Sequence, residues 1–228
     1  MTGGATTRTE RAYAALRADI LAGRFAPGER LPFAALCARY ESSMGVLREG
    51  LSRLVEQGLV RAEPQQGYRV APLSRDDLVE LTEARVEVET LVLRQAVAHG
   101  DLAWESAVIA AHHTLTRTPQ IDGDDPARLS EEWTAAHAAY HSAVLAGCPN
   151  GRLRGIAEGL RDSAELYRQW SGPLGHDEAR DVAGEHRSIL DAVLAREEDT
   201  AARALADHIG RTTLVLLDAA APERSVRA

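Results

Sequence analysis

Two of the chain's eight histidines, His137 and His141, stand four residues apart. On a helix this spacing puts both imidazoles on one face, one turn above the other. Such a pair can ligate one divalent cation if other elements supply two or so further donors. The thiols offer less: Cys37 and Cys148 are far apart, and in a chain without an apolar export signal they read as free thiols in a reducing cytoplasm. The cationic chemistry is unusual, because all 26 basic residues are arginine and none is lysine.

The elements that must position these groups follow from periodicity and punctuation. Tyr13, Leu16, Ile20 and Leu21 share a helical face, and Gly23 and Pro27-Gly28 end that helix. A short helix over 34–40 follows, and Ser42-Ser43 can cap a third through Val46, Leu47, Leu51, Leu54 and Val55, with Gly58 at its end. Leu59–Glu63 and Tyr68–Val70 read as short strands around the turn Pro64-Gln65-Gln66-Gly67. Three helices and then a hairpin is the order of a winged helix-turn-helix. Beyond the linker 71–74, helical segments are predicted at 75–99, 101–117, 126–147, 150–170, 176–196 and 198–219, joined by short loops that make them an antiparallel bundle. The fold class is thus mainly α, a winged helix with a small β-hairpin followed by an all-α bundle. The expected boundaries are a disordered tail at 1–9, a DNA-binding domain at 10–72, a helical domain at 75–219 and a frayed tail at 220–228.

Charge supports two modules. Residues 1–75 carry 11 Arg against 7 acidic residues, a balance of +4, and residues 76–228 carry 15 against 27, a balance of −12. The net −8 therefore does not speak against nucleic-acid binding by the first third alone. No apolar run approaches the roughly 20 residues of a membrane span, so a membrane partner is not expected.

The stretch from Ser43 through Val46-Arg48-Glu49, Leu51, Leu54 and Gly58-Leu59-Val60, followed by Gly67-Tyr68-Arg69-Val70, resembles the winged helix of GntR-family bacterial transcription regulators. The rest looks like the FadR-type (FCD) effector-binding domain of that family, carried by Glu83-x-Arg85, Tyr140-His141, Cys148-Pro149-Asn150-Gly151, Glu185-His186 and His208. The likeness spans about residues 8–219. It implies a homodimer that reads a near-palindromic double-stranded DNA operator and responds to a small carboxylic acid or sugar-acid effector, more often as a repressor. It also implies that His141, His186 and His208 hold a divalent metal. The family's fourth ligand is usually an aspartate four residues before the first histidine, where this chain has His137. Neutral imidazole in place of carboxylate raises the site's charge by one unit and favours Zn²⁺ or Ni²⁺ over Mg²⁺ or Ca²⁺.

The resemblance makes Arg48 the arginine of the reading helix, able to fork onto a guanine edge or a phosphate. Ser43 can cap that helix and donate to phosphate, Gly67 lets the wing backbone approach closely, and Arg53 and Arg69 are further phosphate candidates. Met44 and Ala34 occupy places where family members commonly carry arginine, so a different operator is expected; Met44 can touch a thymine methyl but donates no hydrogen bond. In the helical domain, Arg85 is the candidate grip for an effector carboxylate, with a salt bridge to Glu89 at i+4 as its structural alternative. Tyr140 lines the effector site or packs in the core. Asn150 is expected to cap a helix, and His112 to lie near the surface. Two rivals remain open: a metalloenzyme built on the four histidines with Glu185 as base, and a DNA-binding protein whose helical domain only dimerises.

Overall fold

A computed structural model describes residues 7–121, 123, 129–170 and 180–219. The described chain forms two compact units. The first contains α1 (Arg8–Leu21), α2 (Phe33–Arg39), α3 (Met44–Glu56), β1 (Val60–Glu63) and β2 (Gly67–Val70). Thr7 Oγ1 accepts from Glu10 N at 3.1 Å and starts α1 at Arg8, so Thr7 to Thr9 are ordered as a helix start and not part of the expected tail at 1–9. Ser43 Oγ accepts from Val46 N at 3.5 Å and caps α3, which Gly58 leaves at φ +74°, a conformation costly for a residue with a Cβ. The strands pair antiparallel with Val60 opposite Val70 and Glu63 opposite Gly67. Leu16, Ile20, Leu36, Leu47, Leu51, Leu54, Leu59, Val60 and Val70 close one core, because the apolar stripes of α1 and α3 and one face of the hairpin all point inward.

A buried carboxylate joins the helices of this unit. Asp19, 7% exposed, accepts from Arg24 Nη1 and Arg39 Nε at 2.8 Å and from Tyr40 Oη at 2.7 Å, tying α1 to α2. Burial opposes its charge, but the hydrogen bonds from Tyr40 and Arg39 and the two cations prevail and hold its carboxyl below the usual aspartate range. Residues 162–170 also belong to this unit, with Leu166 in its core and Asp162 paired with Arg17.

The second unit is helical: α4 (Arg75–His99), α5 (Leu102–Arg117), α6 (Glu131–Ala146), the first part of α7 (Gly151–Trp170), α8 (Val182–Leu194) and α9 (Glu198–Ala219). Asp101, Ser130 and Asp181 cap α5, α6 and α8 through the amide of the third residue on. Asn150 Oδ1 accepts from the amides of Arg152 and Leu153 at 3.0 and 3.3 Å, the expected cap of α7. α4 packs along α9, α8 along α9, and α5 along α6 and α8. Trp104 packs tightly at the end of α6: its indole donates to Ala143 O at 2.9 Å and lies over Gly100 and Gly147, where an added Cβ would meet the ring at 2.0 and 2.8 Å. The predicted segments 126–147 and 176–196 lie partly outside the described residues; where described, the helices begin at Glu131 and Val182. Among the described residues no helix is long and apolar enough to cross a membrane.

Candidate functional site

Three helices of the second unit bring their histidines to one place: His137 and His141 from α6, His186 from α8 and His208 from α9. All four are buried, and their potential ligand atoms lie within 4.8 Å of one another. The local sequence explains the arrangement. The i, i+4 spacing sets His137 beside His141, with ring centroids 4.5 Å apart, the ring planes at 60° and their Nε2 atoms at 3.2 Å. His186 lies 5.0 Å from His137 and 4.7 Å from His208, centroid to centroid. Trp133, one turn before His137, stacks on its ring at 4.8 Å. Tyr140 is fully buried beside His141 and His186 and donates to His186 O at 2.9 Å. Burial, chiefly, and the charge of Asp191 raise the Tyr140 phenol, which stays a neutral donor.

The cluster fits a cation. Imidazole nitrogens at 2.0–2.1 Å from a tetrahedral Zn²⁺ stand about 3.3 Å from each other, the spacing His137 and His141 already have. Four converging imidazoles are a good ligand set for a borderline cation. Glu185, next to His186 in sequence, turns to another histidine: its Oε2 lies 2.8 Å from His208 Nδ1. Arg180 clamps the same carboxylate at 3.0 and 2.6 Å, and Arg211 approaches at 3.3 Å. Burial again opposes the charge, but His208 and Arg180 hold the Glu185 carboxyl far below the ordinary glutamate range.

Arg85 takes its structural alternative. Its Nε donates to Glu89 Oε1 at 2.7 Å in a buried pair along α4, and Glu89 Oε2 is buried with no partner among the described residues. His112 is not near the surface as expected. It is 4% exposed, its ring 5.4 Å from Tyr140, because α5 turns that side to α6 and α8. Burial and nearby Arg187 push its imidazole below the usual value.

At the other end of the chain, Met44 is half exposed at the first position of α3, and Arg48 Nη2 lies 3.8 Å from its sulfur, with the guanidinium 5.5 Å from the Phe33 ring. Gly67 has φ +91° and open space around it. Arg53 is paired with Glu10 at 2.9 Å and lies 3.6 Å from the Tyr13 ring centroid. Arg69 is paired with Glu63 at 2.7 Å and donates to Gly28 O at 3.0 Å. The carboxylates that occupy Arg53 and Arg69 have no sequence signal that singles them out.

Residues 8–70 match the family model described as bacterial regulatory proteins, gntR family, and residues 80–211 match the FCD domain. The chain belongs to the GntR family. Like other GntR-family members with an FCD domain it is a DNA-binding transcription regulator and not an enzyme, which sets the four-histidine metalloenzyme reading aside. Its relatives agree. It is 36% identical to an uncharacterized HTH-type transcriptional regulator, BphR, of Paraburkholderia xenovorans, over 88% of this chain and 81% of that one. It is 35% identical to the HTH-type transcriptional repressor GlaR of Escherichia coli, over 86% and 90%, and 27% identical to that organism's galactonate operon transcriptional repressor, over 90% and 95%. Among solved structures, E. coli McbR/YncC shares the fold at a TM-score of 0.79 with 19% identity, covering 94% of this chain and 99% of that one. A GntR-type regulator of Rhodococcus sp. RHA1 does so at 0.70 with 24% identity, covering 92% and 98%.

Proposed function

We propose that this GntR-family protein is a cytoplasmic, homodimeric repressor whose helical unit holds Zn²⁺ or Ni²⁺ on His137, His141, His186 and His208 and senses a small hydroxyl-bearing carboxylic acid, such as a sugar acid. The observation that carries this reading is the four buried histidines with ligand atoms within 4.8 Å. With four imidazoles the site keeps the full charge of a divalent ion, and Arg180 balances Glu185, the carboxylate beside it. The ion, held by the four histidines, would supply a positive pole that attracts the effector carboxylate. Arg85 would exchange its bond to Glu89 for a carboxylate oxygen of the effector, and Glu89 Oε2, a buried acceptor without a donor among the described residues, suits an effector hydroxyl. Tyr140 holds the His186 backbone and packs the histidines from one side.

On the DNA side, Arg48 and Met44 would read base edges from the start of α3, Ser43 would contact phosphate, and Gly67 would bring the wing close to the backbone. Arg53 and Arg69 contribute only if DNA phosphates replace Glu10 and Glu63. Two such heads on a two-fold axis require a near-palindromic operator. Repression fits the names of two of the relatives, and relief requires that the effector bind the DNA-competent and incompetent arrangements with different affinity. The metal half of the reading is tested by elemental analysis of protein purified without chelator. About one equivalent of Zn or Ni per chain is expected, and less than a tenth overturns it. A thermal-shift screen of metals and small acids tests the ligand half, since specific ligands raise apparent stability.

A further inference from the structure

Glu185 and Arg180 are not among the residues expected to ligate a metal or an effector, yet both are almost fully buried beside the histidine cluster. Arg180 does more than neutralise Glu185. Its Nη2 donates to Glu185 Oε2 at 2.6 Å, to Thr212 Oγ1 at 2.9 Å and to His208 O at 3.3 Å. Thr212 Oγ1 in turn donates to His208 O at 2.9 Å. One guanidinium therefore joins the first turn of α8 to the turn of α9 that carries His208. Glu185 takes the Nε–Nη2 edge of Arg180 on its two oxygens and presents Oε2 at 2.8 Å to His208 Nδ1, where a carboxylate serves as the acceptor of an imidazole N–H. With Nδ1 protonated, the lone pair of His208 is on Nε2.

We propose that Arg180 and Glu185 are a positioning pair that fixes the tautomer and ring orientation of His208 and so sets the metal affinity of the sensor. The inference rests on the metal reading above but concerns residues that touch no ion. A carboxylate on the far nitrogen of a metal-bound imidazole orients the ring and raises its basicity, and its loss typically costs 10–100-fold in metal affinity. Arg180 keeps Glu185 from turning away or taking up the histidine proton. The pair also lines a cleft of about 610 Å³ with Asp181, Gly184, Ser188 and Arg211, so substitutions there need no repacking of the apolar core.

The test is a Zn²⁺ competition titration against a chromophoric chelator, with the full-length wild type, Glu185→Gln and Arg180→Met, alongside melting of the metal-free proteins. Glu185→Gln should weaken Zn²⁺ binding at least 10-fold, and Arg180→Met by a smaller factor still above two. A purely structural role would lower the metal-free melting temperature and leave the affinity within two-fold, and that result overturns the proposal. Should either variant fail to fold, ¹⁵N-imidazole spectra of the Zn²⁺-loaded wild type decide: His208 must show a protonated Nδ1 and a metallated Nε2, and the reverse refutes it. If wild type takes up no metal, the metal reading itself has failed and this inference with it. Binding by wild type with unchanged affinity in both variants removes this inference alone.

Discussion

Arg48 and Arg53 are both arginines of α3, and the proposed reading of DNA by Arg48 predicts opposite consequences for their removal. Arg48 is exposed and has no ion pair among the described residues. Its contacts are a 3.8 Å approach to the Met44 sulfur and a cation–π geometry over Phe33. At an exposed site that geometry is worth about 0.5 kcal/mol, so Arg48→Ala should lower the melting temperature by no more than about 2 °C. If Arg48 forks onto a base, each half-site loses about 1–3 kcal/mol, and with two half-sites operator affinity should fall at least tenfold. Arg53 is tied to Glu10 and lies over Tyr13; removing its side chain should cost about 1 kcal/mol of stability with a much smaller effect on DNA. Fluorescence anisotropy on an operator obtained by selection from random duplexes gives the affinities, and the salt series gives their origin. If Arg48 binds a base edge, its removal leaves the slope of log K against log salt unchanged. If it binds a phosphate in each half-site, its removal flattens that slope by about 1.8. Unchanged affinity for Arg48→Ala, or a larger loss for Arg53→Ala at unchanged stability, would refute the assignment of the reading residues.

Saturating Zn²⁺ at about 100 times its dissociation constant should raise the melting temperature by about 5–10 °C over chelated protein; no shift for wild type, or the full shift for His137→Ala, counts against a four-histidine site. His137→Asp should move metal preference from Zn²⁺ toward Mn²⁺, readable by competition between the two ions. Because the Asp19 carboxyl is depressed in the fold, its contribution is present above the ordinary aspartate value and is lost as pH falls through the folded value. Asp19→Asn should therefore cost about 1–3 kcal/mol near neutrality and flatten the acid limb of the stability–pH curve, and an acid limb as steep as wild type's would sink this account. For the effector, wild type should be stabilised more by malate than by succinate and more by lactate than by propionate. Glu89→Gln should erase that preference and Arg85→Ala should abolish the response to all four, as followed by thermal shift.

Legibility in the sequence follows the range of the interactions. Helices ending at His99, Arg117 and Trp170 are readable because periodicity, caps and glycine stops are encoded within a few residues. The His137–His141 pair is readable for the same reason, being a local spacing. His186 and His208 join it only through a family resemblance, since nothing local says that α8 and α9 face α6. The same limit explains the misses. His112 looks like a surface residue in the sequence because it stands next to His113 near a loop, whereas its burial is decided by the helices packed on α5. Glu185 looks like a general base from its place beside His186, and only the tertiary fold shows Arg180 and His208 holding it.

Long-range pairing also changes what the charge arithmetic means. The +4 of residues 1–75 suggests a basic face, but charge counts for DNA only where a phosphate can reach it. Arg17, Arg24, Arg39, Arg53 and Arg69 each carry an ion pair, with Asp162, Asp19 (twice), Glu10 and Glu63, so much of the basic charge is neutralised inside the unit. Arg48 on α3 and Arg61 on β1 are exposed and have no ion pair among the described residues. With no lysine in the chain, the remaining cation of those two elements is Arg53, which is paired with Glu10. The charge that this unit leaves without an ion pair on α3 and β1 is therefore small and local, and it would vanish into a whole-chain total of −8 even though the protein belongs to a DNA-binding family.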